Sequence, residues 1–119
     1  MDNNAWKRRR EPTEADLAIA AATADRIRLA LEELRHADHI TPEATRGVIE
    51  GLGLPPRTIM VTALRPPLGA DPATTPPGAD IGIRVAPTAC VIGSVRPSRV
   101  DIDVAGPAAE FGCLEPFSH

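Results

Sequence analysis

The chain reads as an α+β protein: two amino-terminal helices followed by an antiparallel sheet of about four strands, the long first helix covering one face. Three observations predict this. Apolar residues between Leu17 and Leu34 recur at spacings of 3, 4, 3, 4 and 3, the pattern of one helix face. Farther on the period changes to two: Ile81, Ile83 and Val85 alternate with Asp80, Gly82 and Arg84, and Val100, Ile102 and Val104 with Arg99, Asp101 and Asp103. The breaks between these later runs, Pro87-Thr88 and Pro97-Ser98, are short enough that hairpins are the natural connection.

The elements follow in order. Residues 1–12 are polar and charged and are expected to form a disordered basic arm ahead of a single domain over 13–115, with 116–119 as a tail. Thr13 opens the first helix: its hydroxyl can accept from an early amide, and Asp16 can reach back as a weak capping box. Leu17, Ala20, Ala24, Ile27, Leu31 and Leu34 form the inward stripe, ending near Ala37, while Asp25, Arg28, Glu32 and Arg35 face water.

Thr41-Pro42-Glu43 starts the second helix, with a hydroxyl cap, a proline at the first helical position and an acid near the positive end of the dipole. Val48, Ile49 and Leu52 point inward, and Gly51 or Gly53 followed by Pro55-Pro56 ends the helix. Arg57 to Leu64 is expected as the first strand. Arg65 to Gly78, with five prolines, is a loop, long for a compact domain. Strands are then expected at about 79–86, 89–95 and 99–104, followed by an irregular segment from Gly106.

Composition narrows the function classes. With Trp6, Phe111 and Phe117 as the aromatics and no tyrosine, the core has to be aliphatic. Arginine outnumbers lysine twelve to one, which fits GC-rich codon usage better than a binding signal. A net charge of −3 argues against a globally basic nucleic-acid binder. The one basic cluster, Lys7, Arg8, Arg9 and Arg10 beside Trp6, suits a partner or an anionic membrane surface, and Glu11, Glu14 and Asp16 blunt it. No apolar stretch approaches the roughly eighteen residues of a membrane span, and the basic run leads into acidic residues and proline rather than an apolar leader segment.

Candidate chemistry is sparse. Cys90 lies in an apolar strand and Cys113 beyond the last strand, so they either join as a disulfide or remain as two buried thiols. Zinc is a poor fit: Cys90, Cys113, His36, His39 and His119 do not form the close ligand pairs such sites show. Asp101-Ile102-Asp103 puts two carboxylates on one strand face about 7 Å apart, as solvated strands commonly do. Gly51-Leu52-Gly53 follows a helix, whereas a dinucleotide phosphate loop follows a strand, so it reads as a stop signal. Ser94 has no histidine near it in sequence, and no nucleophile elbow, phosphate loop or zinc-protease motif occurs. No catalytic, metal or cofactor site is expected.

The runs Gly78-Ala79-Asp80-Ile81-Gly82-Ile83-Arg84-Val85, Ala89-Cys90-Val91-Ile92-Gly93 and Gly112-Cys113-Leu114 resemble a family of small actinobacterial lipoprotein-like proteins. These share an exported domain of unknown function. The resemblance spans about residues 45–115 and does not reach the proline-rich loop or the basic arm. It carries no functional residue with it. It implies an exported α+β domain in which Cys90 and Cys113 pair, located outside the cytoplasm or in the cell envelope.

The resulting expectation is a non-catalytic accessory domain that acts by binding a protein partner. Membrane association would come only through an anchor ahead of Met1 or through the arm. The alternative is a small cytoplasmic regulatory or subunit protein that pairs through its long helix and basic arm.

Overall fold

The computed structural model describes residues 11–66, 69, 75–107 and 113. Trp6 and Lys7 to Arg10, and the expected tail 116–119, lie outside those residues. Helix α1 spans Glu14–His36 and helix α2 Pro42–Gly51. A single 3-10 turn, Pro56–Thr58, leads into strand β1, Ile59–Thr62, followed by β2 (Ala79–Ala86), β3 (Ala89–Val95) and β4 (Val100–Ala105). The strands form one antiparallel meander in the order β1-β2-β3-β4.

Local sequence chemistry sets the helix ends. Thr13 and Thr41 cap α1 and α2, their hydroxyls accepting from the amides of Asp16 (3.2 Å) and Ala44 (3.0 Å). Pro42 takes the first helical position of α2. Gly53, at φ +93, turns the chain away after α2, a conformation that costs glycine nothing.

One half of the expected capping box is replaced. The Asp16 carboxylate does not return to Thr13. Its Oδ2 accepts from both the amide (2.8 Å) and the hydroxyl (2.7 Å) of Thr88, in the β2–β3 turn. The Thr13 amide donates to the same Thr88 hydroxyl (2.9 Å). These bonds join the start of α1 to a hairpin tip more than seventy positions away, and they hold the Asp16 carboxyl below the usual carboxylate range.

The core is a single aliphatic layer between the helices and one sheet face. Ala24, Ile27 and Leu31 of α1, with Ile49 of α2, meet Ile59, Ile81, Ile83, Val91 and Val95, and Val100, Ile102 and Val104 close its β4 side. Helix α1 lies over β2, β3 and β4, while α2 packs against α1 and β1. Thr45 is fully buried within this layer and remains satisfied, because its hydroxyl donates to the Thr41 carbonyl (2.7 Å).

Four expectations need correction. The first strand is Ile59–Thr62 rather than Arg57–Leu64, because the Thr58 amide and hydroxyl both turn back to the Pro55 carbonyl before pairing begins. Leu17, placed inward by its spacing, is 44% exposed: it lies one turn beyond the part of α1 that covers the sheet. Arg28 and Arg35, placed toward water, lean back across the layer, donating to the carbonyls of Ile102 (3.4 Å) and Pro97 (3.2 Å). The far face of the sheet is not uniformly wet, since Cys90 is fully buried there.

Candidate functional site

The sheet register arranges the face turned away from the helices. Met60, Gly82, Ile92 and Asp103 form one row across the four strands, and Thr62, Asp80, Ser94 and Asp101 form the next. A third row begins with Arg84, Cys90 and Ala105. Cys90 is bonded to Cys113 with their Cα atoms 5.6 Å apart, which places residue 113 against β3. Cys90 and Cys113 are 0% and 4% exposed, which seals the bond from solvent. Gly106 and Pro107, just beyond β4, are buried as well.

Beside the bond lies a pocket of about 320 Å³, lined by Arg57, Thr58, Met60, Gly82, Arg84 and Cys113. Met60, Gly82 and the half-cystine Cys113 line it together with Thr58 and two arginines. The Arg84 side chain donates to the Pro87 carbonyl (2.6 Å). Neither arginine is paired with a carboxylate among the described residues. Periodicity cannot reveal this pocket, because strand pairing brings together residues from the 3-10 turn, β1, β2 and position 113.

A second hollow of about 500 Å³ lies at the start of α2, between Thr41, Pro42, Glu43 and the segment Thr75-Pro76-Pro77. Glu43 makes it acidic, and the Thr41 hydroxyl is already engaged in the cap.

The polar row across the same sheet face contains a buried hydroxyl oxygen, Thr62 Oγ1, with no hydrogen-bond partner. Burial pushes the carboxyl of its neighbour Asp80 up, and the Arg96 charge offsets this only in part. Asp101 is paired with Arg99 (2.8 Å). Ser94 lies between Asp80 and Asp101 in register, on the face opposite the helices. The Asp101–Asp103 pair is thus a solvated edge whose first acid is neutralised by arginine.

His36 ends α1, and His39 lies in the link to α2. Among the described residues no cluster of three or more His, Cys, Asp or Glu is placed to hold a metal ion. No helix among them is long and apolar enough to cross a membrane. Compared with known proteins, the chain matches no protein family, no curated protein and no solved structure.

Proposed function

We propose that this is an extracytoplasmic accessory domain, secreted or held in the cell envelope, that acts by binding a partner and carries out no chemistry of its own. The disulfide is the observation that carries this reading. A bond between Cys90 and Cys113 forms and persists in an oxidising compartment, whereas cytosolic thiols are kept reduced. Its burial favours a structural role over a redox one, because exchange requires an attacking thiolate to reach a sulfur. The resemblance to exported lipoprotein-like domains points to the same compartment.

The binding half of the proposal rests on the sheet face beside the disulfide. There a pocket with two arginines stands open while the opposite face is spent on the core. Expressing the chain with an export signal and probing its thiols tests the compartment. Capture of a partner by the exported domain, lost when the pocket arginines are replaced, tests the binding.

One observation favours the second reading, a cytoplasmic subunit that pairs through its long helix. Ile19 and Leu29 on α1 are 50% and 70% exposed. Sedimentation of the purified chain tests self-pairing: a dimer dissociated by Leu29→Glu supports pairing through the helix, and a monomer leaves only pairing with a different chain.

A further inference from the structure

We propose that the pocket beside the disulfide is a binding site for a small monocarboxylic acid with a compact apolar body, recognised by Arg57 and Arg84. The inference deepens the binding role assigned above and rests on it. Three features carry it.

The first is charge. Both arginines line the pocket, no acid lines it among the described residues, and Arg57 has no hydrogen-bond or ion-pair partner within the described structure. Arg84 spends one nitrogen on the Pro87 carbonyl, which aims the guanidinium and leaves its other donors available. A planar fork of N–H groups matches a carboxylate better than it matches any neutral group.

The second is the apolar remainder. Met60, Gly82 and Cys113 line the rest without a charged side chain, and the Thr58 hydroxyl beside them already donates to the Pro55 carbonyl (2.7 Å). They suit a hydrocarbon or aryl group, and Met adapts its shape to what it covers. Met60, on the far face of the edge strand β1, is 43% exposed, and burying it supplies part of the gain on binding.

The third is construction. Met60 pairs with Gly82, so the pocket floor is set by hydrogen-bonded β1 and β2, and its far wall is fixed by a covalent bond. A volume of about 320 Å³ lies at the small end of ligand pockets, which limits the body to a ring or a short branched chain.

The test uses the oxidised full chain and amide chemical shifts. The probe is 3-phenylpropionate, compared with the neutral 3-phenylpropanol and with inorganic phosphate. The acid is expected to shift the amides of Thr58, Met60, Gly82 and Arg84 in a saturable way, with the alcohol at least tenfold weaker. Arg57→Gln should weaken the acid at least tenfold while leaving the rest of the spectrum in place, and Arg84→Gln serves as the second variant.

N-acetylphenylalanine compared with its amide identifies the source of the carboxylate. Preference for the N-acetyl acid over 3-phenylpropionate marks a peptide carboxyl terminus, and the reverse marks a free acid. The proposal is overturned by an absence of shifts at these residues, by equal binding of acid and alcohol, or by indifference to both arginine variants. Phosphate binding as tight as the acid's would also overturn it, reducing the site to a generic anion patch. A null result here leaves the redox state of the cysteines, and so the compartment, untouched.

Discussion

Replacing both cysteines by alanine removes the covalent tie without leaving an unpaired buried thiol. The bond joins residues separated by 23 positions. In the chain-entropy picture a loop of that length is worth about 3.4 kcal/mol at 25 °C, all of it through the unfolded state. The packing lost with two sulfur atoms is small beside this, so Cys90→Ala/Cys113→Ala should lower stability by about 2–4 kcal/mol. For a domain of this size that corresponds to a fall in Tm of roughly 10–20 °C. Thermal melts followed by circular dichroism should place the double variant and the reduced wild type together, well below the oxidised protein. Amide exchange should show the earliest loss of protection around Cys90 and Gly106, with α1 least affected. If the double variant melts within about 2 °C of the oxidised protein, the bond does not restrain the unfolded chain as argued.

Other perturbations separate the forces at work. Leu31→Asp should unfold the domain, because a carboxylate replaces a side chain with no exposure in the core, whereas its neighbour Glu32→Ala should change stability by less than about 0.5 kcal/mol in urea titrations. Gly93→Ala should cost about 2–3 kcal/mol, since a Cβ there would press on the Asp101 carbonyl of β4; unchanged urea stability would show that β4 can move aside freely. Asp16 and Asp80 should give opposite pH responses. The stabilisation from Asp16, whose folded carboxyl titrates below its unfolded value of 3.8, is present above about pH 4 and lost as pH falls through the lowered pKa, so Asp16→Asn should lower Tm at pH 7 and matter little at pH 2. Asp80 titrates above 3.8 when folded and becomes costly as pH rises, so Asp80→Asn should raise Tm at pH 7 and leave it unchanged at pH 3.

What was legible in the sequence follows from the range of the forces. The caps at Thr13 and Thr41 depend on residues three positions away, and a reading along the chain finds them. Strands β2, β3 and β4 were legible because one face packs under α1, which fixes the alternation of Ile81, Ile83, Val91 and Val104. The start of β1 was not, because a proline-led 3-10 turn and a strand share the same β-rich composition around Arg57 and Thr58. Leu17 shows the limit of periodicity, which identifies a helix face but not how far along the helix the sheet extends.

Asp16 shows the limit of local capping rules. Its partner, Thr88, is supplied by a hairpin tip whose position only the assembled fold determines. The pocket is the extreme case, since Arg57, Met60, Arg84 and Cys113 become neighbours only through strand pairing and the disulfide. Strand patterning brought Cys90 and Cys113 into view as candidates. Their pairing came from resemblance and is now a feature of the fold.

The central claim is that Cys90 and Cys113 are joined in the protein as it is made. Protein recovered from its native cells under acid quench, alkylated without reductant and weighed intact, tests this most directly. The account predicts that neither cysteine takes up the alkylating agent until a reductant and denaturant are added, after which both do. Two alkylated cysteines without reductant would contradict it, remove the support for an extracytoplasmic domain, and leave the helix-paired cytoplasmic subunit as the better reading.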